Sequence, residues 1–225
     1  HDVMMHFPLN ATDRTMNMTP WFHRGGLHSG GLTPTLYAGG EVVILREFNP
    51  RRCLAFAQEH QVTFLIGVPS IIALLARAQE RAPADLSALR GIVTMGSPFE
   101  KSACEKYRKL FTPNIFNGYG TTETVTACCL TPTHMFKEGS IGIPFPDTYY
   151  KIVEHGTQKE VPYGTEGEIC LSGPTVMMGY LHHPEETAQT LQTHEDGLTW
   201  VHTGDLGMMD EEGFIYFRQR IKRMI

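Results

Sequence analysis

Residues 91–120 read GIVTMGSPFEKSACEKYRKLFTPNIFNGYG, and this stretch determines the predicted fold. The apolar run GIVTM predicts a buried strand, and NIFNGYG predicts a second one. The segment between them, SPFEKSACEKYRKLF, predicts a helix because Ser97, Pro98 and Glu100 form a capping box with proline in the first turn. A strand, a helix and a strand in succession favour a right-handed crossover between parallel strands.

The same alternation extends back to residue 41. EVVIL predicts a short strand, and NPRRCLAFAQEH predicts a helix that begins at Asn49 and Pro50. VTFLIG then predicts another buried strand, and PSIIALLARAQER predicts a helix with Pro69 near its start. The predicted fold class is therefore α/β, with a mainly parallel sheet and flanking helices.

The pattern changes after residue 140. TYYKIVE, GTEGEICLSG and GFIYF are short β-rich runs separated by Gly and Pro turns, and PEETAQTLQ is the one helix we expect there. This half is predicted to be a smaller antiparallel or barrel-like β subdomain. We expect an α/β subdomain over residues 1–140 and a β-rich subdomain over residues 141–217.

The composition limits the classes of protein to which the chain can belong. Its 225 residues are 41% apolar, and no apolar run is long enough to predict a membrane span. The formal net charge of −5, with dispersed Lys and Arg residues, argues against a nucleic-acid partner. Five cysteines without a CxxC pair predict reduced thiols in a cytoplasmic protein, not a zinc site or a disulfide framework. The oligomeric state is not indicated.

Both ends of the sequence suggest a longer parent protein. The chain starts at His1, and its last eight residues, RQRIKRMI, are an apolar and basic run without a helix stop signal. We therefore expect the 225 residues to be an internal fragment.

Unusual loops follow two of the predicted parallel strands, where such sheets bind ligands. After GIVTM, Gly96, Ser97 and Pro98 lead into a helix N-terminus, whose amides and dipole favour an anion. The alternative interpretation of this segment is a capped turn without a ligand.

The second loop, Asn117-Gly118-Tyr119-Gly120-Thr121-Thr122-Glu123, combines residue types that suit a nucleotide. Tyr119 could stack on adenine, while Gly118 and Gly120 let the backbone approach closely. Thr121 and Thr122 can bind phosphate oxygens, and Glu123 can hold a magnesium ion. Taken alone, such a glycine-rich segment could also be only a turn.

A third candidate lies in the β-rich half, in Val201-His202-Thr203-Gly204-Asp205-Leu206. A carboxylate such as Asp205 can accept hydrogen bonds from both hydroxyls of a ribose. The alternative is that Gly204 and Asp205 are simply a turn dipeptide.

Three motifs in order resemble the core motifs of the adenylate-forming superfamily, which includes acyl-CoA synthetases, aryl-CoA ligases, luciferases and peptide-synthetase adenylation domains. They are NGYGTTE, GEICLSGPTVMMGYL and HTGDLGMMDEEGFIYF. MTPWFHRGGL and VTMGSPF upstream are similar to two further family segments, and RQRIKRMI is similar to the family's interdomain hinge. The order of the motifs makes the resemblance far more specific than any one motif.

The resemblance implies roles for particular residues. Gly96 and Ser97 would line one face of adenine and Tyr119 the other, while Thr121 or Thr122 would bind the α-phosphate. The implied nucleotide-binding set is Gly96, Ser97, Pro98, Asn117, Gly118, Tyr119, Gly120, Thr121, Asp205 and Arg220. The implied catalytic residues are Thr122 and Glu123, and Glu123 would also bind Mg²⁺. His23, Gly67 and Val68 would line the acyl pocket, although a histidine beside Trp21 and Phe22 is often only packed there.

The resemblance departs from the family pattern in two places near the end. Gln219 stands where a glycine usually precedes the ribose-binding arginine, which is Arg220 here. Arg223 falls at the hinge, where many relatives carry Asp. Residues 218–225 would lead to a further domain.

The implied reaction joins a carboxylic acid to CoA, with ATP and Mg²⁺, through an acyl-adenylate. Thr121 replaces the proline usual in peptide-synthetase domains, and WFHRGG lacks the aspartate that would hold an amino-acid ammonium group. These features favour an acyl-CoA synthetase acting on an acid without an α-amino group. The alternatives are a peptide-synthetase or aryl-acid adenylation domain, or a non-catalytic nucleotide-binding domain. We expect the fragment alone to be inactive, because the family's phosphate loop and catalytic lysine are not in this sequence.

Overall fold

The computed structural model describes residues 3, 7–28, 30–96, 101–112, 114–125, 129–130, 137 and 139–221. Its larger sheet has seven strands in the order β2-β1-β3-β4-β5-β6-β7. The strands are β1 (Arg14–Asn17), β2 (Glu41–Val43), β3 (Phe64–Gly67), β4 (Gly91–Met95), β5 (Ile115–Tyr119), β6 (Cys129–Leu130) and β7 (Ile143–Pro144). The first five pair in parallel, and β6 and β7 pair antiparallel, so the predicted mainly parallel sheet is confirmed.

The helices are α1 (Arg24–His28), α2 (Leu32–Tyr37), α3 (Pro50–Glu59), α4 (Pro69–Arg81), α5 (Lys101–Leu110) and α6 (Pro184–Thr190). Four of them, α3 to α6, lie where the sequence predicts helices. Asn49 caps α3, since its side chain accepts hydrogen bonds from the backbone N–H groups of Arg51 and Arg52, both at 3.1 Å. The capping box predicted at Ser97 to Glu100 lies outside the described residues.

The strand β1 was not predicted, although it lies between β2 and β3 in the sheet. Its sequence, RTMN, has only one apolar residue, yet Thr15, Met16 and Asn17 are all buried. Polar side chains are tolerated there because they are hydrogen-bonded: Thr15 Oγ1 lies 2.8 Å from Thr35 Oγ1 in α2. The central position of β1 therefore depends on partners that are distant in sequence.

The core lies on both faces of the parallel strands. Within β3, Leu65 joins the cluster under α3, α4 and α5, whereas Phe64 and Ile66 join the opposite cluster with Phe7 and Phe116. A strand that is buried on both faces is apolar throughout, which is why VTFLIG and GIVTM were recognisable as strands.

The second sheet is antiparallel and has five strands. They are β8 (Tyr149–Val153), β9 (Gly167–Ser172), β10 (Leu191–Thr193), β11 (Thr199–Met209) and β12 (Ile215–Arg220). The order is β10-β11-β9-β8, and β12 also pairs with β11, so the β-rich second half is confirmed. The chain changes sheets between Pro144 in β7 and Tyr149 in β8, and the subdomain boundary at residue 140 stays a prediction.

The two sheets share one hydrophobic cluster, in which Tyr119 of β5 packs with Ile169 and Leu171 of β9 and Ile215 of β12. Backbone hydrogen bonds reinforce this contact: the Ile141 N–H donates to the Ile215 carbonyl at 2.8 Å. The carboxyl end of β5 is therefore held directly against the second sheet.

Cys53, Cys104 and Cys170 are buried free thiols, as the cysteine spacing predicted for them. Cys128 lies outside the described residues. Over the part of the chain that is described, no helix has both the length and the apolar character needed to cross a membrane.

Candidate functional site

The carboxyl ends of β3, β4 and β5 meet at one edge of the parallel sheet. Val68 follows β3 and Gly96 follows β4, and a Cβ added to Gly96 would lie 3.7 Å from Val68 Cγ1. Gly96 has φ of +91°, a backbone conformation that glycine adopts without strain. Met95 pairs with Gly118, so the loop after β4 lies beside the predicted nucleotide segment. Ser97 and Pro98 lie outside the described residues.

Asn117, Gly118 and Tyr119 form the buried end of β5, and the chain becomes exposed at Gly120. The Tyr119 phenol donates a hydrogen bond to Asp205 Oδ2 at 2.7 Å. This contact joins the larger sheet to β11 across the shared cluster. The structure therefore brings together two residues that the sequence placed 86 positions apart.

Asp205 is 1% exposed and lies opposite Arg220 in the pairing of β11 with β12. Arg220 Nε donates to Asp205 Oδ1 at 2.7 Å, and Arg220 Nη2 donates to Oδ2 at 3.1 Å. These charge-assisted bonds raise the pKa of Arg220. Three donor groups from two residues thus hold a buried carboxylate in one orientation.

Glu123 lies beyond β5, where it is partly buried. Tyr180 donates its hydroxyl to Glu123 Oε1 at 2.7 Å, and the Met177 N–H donates to the Glu123 carbonyl at 2.7 Å. Burial alone raises the pKa of Glu123, but the hydrogen bond from Tyr180, together with Thr121 and the Arg220 charge, lowers it overall. The carboxylate is therefore favoured in its ionised form.

The threonines of this loop differ in their surroundings. Thr124 is 1% exposed and orders the turn, since its Oγ1 accepts from the Thr121 N–H at 3.2 Å and lies 3.3 Å from Thr121 Oγ1. Thr122 is exposed at the tip. Its hydroxyl is accessible to a ligand, while Thr121 is tied to the turn.

Tyr180 is a residue to which the sequence interpretation gave no role. It lies within GEICLSGPTVMMGYL, a motif that was quoted without assigning a role to its tyrosine. The 57-residue separation from Glu123 gives no local signal of their hydrogen bond. Its position near the end of a family motif, with a hydroxyl that can donate a hydrogen bond, was the signal that could have identified it.

The predicted acyl-pocket residues lie at the same edge of the sheet. His23 is exposed, and its Nδ1 accepts a hydrogen bond from the Gly25 N–H at 3.0 Å. A Cβ on Gly25 would lie 3.4 Å from Met95 Sδ, which places the start of α1 beside the end of β4. A Cβ on Gly67 would lie 3.2 Å from Met18 Cε, just after β1. His23, Gly67 and Val68 therefore surround the ends of β1, β3 and β4.

The site consists of two connected regions. One holds Tyr119, Asp205 and Arg220 in direct hydrogen bonds, with Glu123 close enough to be influenced by the Arg220 charge. The other lies around His23, Gly67, Val68 and Gly96, with the Met18 and Met95 side chains nearby. A buried carboxylate suits a diol, an arginine and hydroxyls suit phosphate, and the apolar edge suits an acyl group.

Known proteins resemble this chain in sequence over most of its length. The family model described as "AMP-binding enzyme" matches residues 1–181. Luciferin 4-monooxygenase of Luciola mingrelica is 35% identical over 88% of this chain and 36% of its own length. A fatty acid–[acyl-carrier-protein] ligase of Streptomyces coeruleorubidus is 35% identical over 92% of this chain and 39% of its own length.

A solved structure has the same fold. The crystal structure of a long-chain-fatty-acid-CoA ligase from Archaeoglobus fulgidus superposes with a TM-score of 0.89 at 26% identity, covering 98% of this chain and 46% of that one. The chain thus spans less than half the length of each of these three relatives. The family model covers most of the chain, and the fold and the ordered motifs agree with it. This chain belongs to the AMP-binding enzyme family.

Proposed function

We propose that this chain supplies the nucleotide and acid sites of an ATP-dependent acid–thiol ligase, which forms an acyl-adenylate and transfers the acyl group to CoA. The observation that carries the proposal is the buried Asp205 carboxylate, held between Tyr119 and Arg220 at the carboxyl end of β5. A buried carboxylate needs partners, and Tyr119 and Arg220 hold this one at the edge where parallel sheets bind ligands, which supports a binding role.

The nucleotide would lie along the loops after β4 and β5. Gly96, Ser97 and Pro98 would face one side of adenine, and the Tyr119 ring would face the other. Asn117, Gly118 and Gly120 would supply backbone and amide contacts, Thr122 or Thr121 would reach the α-phosphate, and Asp205 would accept the ribose hydroxyls.

Access to Asp205 depends on its two donors. Both carboxylate oxygens already accept hydrogen bonds, and the carboxylate is 1% exposed. The Arg220 side chain is 49% exposed and can turn toward a phosphate, whereas Tyr119 is buried. We expect Arg220 to move when ribose binds. In its new position, Arg220 would keep one contact with the Asp205 carboxylate and gain a contact with a phosphate.

Glu123 fits a role with magnesium. Its carboxylate has a lowered pKa, and oxygen ligands suit this cation. Among the described residues no three His, Cys, Asp or Glu side chains converge on one point, so Glu123 would act together with phosphate oxygens and water. When bound, Mg²⁺ would neutralise phosphate charge, and Glu123 would help to hold it.

The proposed reaction has two steps. A carboxylate oxygen of the acid attacks the α-phosphorus, the bond to the β-phosphate bridging oxygen breaks, and pyrophosphate leaves. The CoA thiolate then attacks the acyl carbonyl carbon, and AMP leaves. Arg220 and the hydroxyl of Thr122 or Thr121 would counter the oxygen charge that develops at the phosphorus in the first step.

Two features of the loops indicate which kind of carboxylic acid the site would bind. His23, Gly67 and Val68 surround an edge of the sheet with Met18 and Met95 nearby, which favours an apolar acyl group. The segment WFHRGG has no carboxylate to hold an ammonium group, which disfavours amino acids. A peptide-synthetase or aryl-acid adenylating domain remains the alternative within the same reaction class.

The second half-reaction transfers the acyl group to a thiol acceptor. The two curated relatives at 35% identity are named for a monooxygenase and an acyl-carrier-protein ligase, so identity at this level does not fix the acceptor. CoA is our proposal, and the Archaeoglobus ligase with the same fold is named for it. Because the chain spans less than half of these relatives, we expect it to bind nucleotide without completing ligation.

The test is calorimetric binding of AMP to the 225-residue chain. We expect saturable binding that weakens at least about tenfold in Asp205→Ala, since hydrogen bonds to a charged acceptor are among the stronger ones. Glu59→Ala, an exposed carboxylate in α3, is the matched control and should bind like the wild type. No binding of AMP by the wild type would contradict the nucleotide site and favour another ligand, and equal binding by Asp205→Ala would contradict the ribose role of Asp205. Thioester formation by this chain alone would contradict the expected lack of turnover.

A further inference from the structure

The strand β11 contains an irregularity directly before Asp205. His202 pairs with Cys170 and Leu206 pairs with Glu168, so three residues of β11 lie opposite the single residue Ile169 of β9. Within this bulge Gly204 has φ of +68°, which glycine tolerates without strain. Bulges redirect side chains and are common next to functional sites. This one directs Asp205 toward Tyr119 and Arg220.

Side chains replace the ladder hydrogen bonds that the bulge interrupts. Thr203 Oγ1 donates to the Ile169 carbonyl at 2.7 Å and accepts from the Asp205 N–H at 3.1 Å. The Gly204 N–H donates to Glu168 Oε1 at 2.9 Å. The backbone on either side of Gly204 is thus held by two side chains, one from the bulge itself and one from β9.

Glu168 is 5% exposed, so its carboxylate needs partners. Its second oxygen, Oε2, lies 3.1 Å from His202 Nδ1. A carboxylate only accepts, so His202 donates from Nδ1, and its Nε2 faces His194 Nε2 at 2.9 Å. His155 Nδ1 lies 3.7 Å from the same Oε2. Glu168 and His202 are therefore buried partners, and Glu168 also accepts the hydrogen bond from the bulge at Gly204.

We propose that Glu168, held by His202, is a positioning residue for nucleotide binding, because its hydrogen bond from the Gly204 N–H fixes the bulge that presents Asp205. The inference rests on the proposed function, in which Asp205 accepts the ribose hydroxyls. A carboxylate from β9 is well suited to this task because it is rigidly buried, while the bulge offers few backbone partners. Glu168 lies within the motif GEICLSGPTVMMGYL, but it is not among the residues proposed to contact the nucleotide.

The test measures recognition of the ribose hydroxyls, which a merely structural residue would not alter selectively. AMP and 2′,3′-dideoxy-AMP are titrated into the full chain by calorimetry. We expect the wild type to prefer AMP by at least about tenfold, since two hydrogen bonds to a charged acceptor are lost with the dideoxy compound. Glu168→Ala should lose most of this preference by weakening AMP binding while leaving dideoxy-AMP binding nearly unchanged.

Two further substitutions at Glu168 and one control complete the design. Glu168→Gln keeps an oxygen acceptor for the Gly204 N–H and should restore most of the preference. Glu168→Asp is shorter by one methylene, should reduce the preference partly, and decides the question if Glu168→Ala does not fold. Asp196→Ala is the control, because Asp196 accepts from Trp200 and Lys151 in the same sheet without touching the bulge. It should keep the wild-type preference.

The outcomes separate the two proposals. Wild-type preference in a folded Glu168→Ala or Glu168→Asp protein, or a parallel loss of both nucleotides, would overturn the positioning role while leaving the proposed function in place. Equal binding of both nucleotides by the wild type would overturn the positioning role and the ribose assignment together. No binding of either nucleotide by the wild type would overturn the proposed function itself, and the inference with it.

Discussion

The Tyr119 hydroxyl and the Asp205 carboxylate lie 2.7 Å apart, and this hydrogen bond connects the last parallel strand to the antiparallel sheet. Tyr119 is 9% exposed and packs with Phe217, whose ring centroid lies 6.3 Å from its own. The same ring is proposed to face adenine. Tyr119 therefore has two separable parts, a ring for the ligand and a hydroxyl for Asp205.

Tyr119→Phe separates these parts. The substitution removes one donor to a buried carboxylate, so we expect unfolding free energy to fall by about 1–3 kcal/mol. The ring remains and Asp205 Oδ2 gains a free position, so AMP affinity should stay within about threefold of the wild type. Urea denaturation and calorimetry measure the two effects.

Tyr119→Ala removes both parts and should weaken AMP binding strongly. Equal loss of AMP binding in both variants would show that the hydroxyl, not the ring, serves the ligand.

The sequence predicted the parallel core because its strands are uniformly apolar. VTFLIG and GIVTM are buried on both faces, and each follows a helix with a clear start, at Asn49 and at Pro69 respectively. The strand β1 was missed because Thr15 and Asn17 are polar, and their burial depends on Thr35 and the Gly26 carbonyl. The helices α1 and α2 were missed because they are only 5 and 6 residues long.

The site shows a similar division. Tyr119, Glu123 and Asp205 were singled out as candidate site residues because they stand in the family motifs. Their partners were not, because Tyr180 reaches Glu123 and Glu168 reaches Gly204 only through tertiary contacts. A motif shows that a polar residue is present, but the geometry that orients its side chain depends on how two sheets pack.

Glu123→Gln tests the proposed magnesium role. An amide is a much weaker ligand than a carboxylate, so Mg²⁺ should no longer strengthen ATP binding in the variant, while AMP binding without Mg²⁺ should be unchanged. Tyr180→Phe removes the hydrogen bond to Glu123 Oε1 and should weaken Mg²⁺ affinity by about tenfold, as loss of an outer-sphere partner does. Titrations of ATP with and without Mg²⁺ measure both. A Glu123→Gln protein that retains the full Mg²⁺ effect would exclude this ligand role.

Arg90→Ala tests the main ion pair at the amino end of the parallel sheet. Asp13 is 1% exposed, and Arg90 Nη1 donates to its two oxygens at 2.6 and 2.7 Å. Removing Arg90 leaves a buried carboxylate whose remaining donors within the described ranges are Thr63 and the Asn10 N–H. Because the Arg90 side chain is 40% exposed, we expect a loss of about 2 kcal/mol, less than for a fully buried pair.

Lys106→Ala is the matched control for Arg90→Ala. Lys106 pairs with Glu80 at 2.9 Å, but both side chains are about half exposed, so the loss should be below about 1 kcal/mol. Urea denaturation of the two variants gives the comparison. Equal losses would show that burial of Asp13 does not determine the contribution of its ion pair.

His194 should make stability depend on pH. It is 5% exposed, its Nε2 lies 2.9 Å from His202 Nε2, and its Nδ1 has no hydrogen-bond partner within the described ranges. Burial lowers the pKa of His194 below 6.5, the charges of Lys151 and His202 lower it further, and Asp196 opposes them. Protonation would place a positive N–H at Nδ1 in a buried environment that offers it no acceptor among these residues.

The sign follows from proton uptake. As pH falls below about 6.5, the unfolded chain protonates His194 while the folded chain does not until its lower pKa is reached. The contribution of neutral His194 to the unfolding free energy is therefore fully present above about pH 6.5. It declines as the pH falls below this value, with a slope of at most about 1.4 kcal/mol per pH unit for one proton. Glu123 and Glu168 have pKa values lowered from 4.5 and stay ionised between pH 5.5 and 7.5, so they do not contribute to this decline.

His194→Gln removes the titrating ring and keeps an amide donor near the position of Nε2, so the fall in unfolding free energy between pH 7.5 and 5.5 should become smaller. Trp200→Phe disturbs the same packing, since the Trp200 and His194 rings lie 5.9 Å apart, but it keeps the titrating group. It should lower stability at both pH values and retain the wild-type slope. Urea denaturation at several pH values distinguishes the two variants. An unchanged slope in His194→Gln would assign the pH dependence to another group, because His194 could then not be the group that the folded state keeps unprotonated.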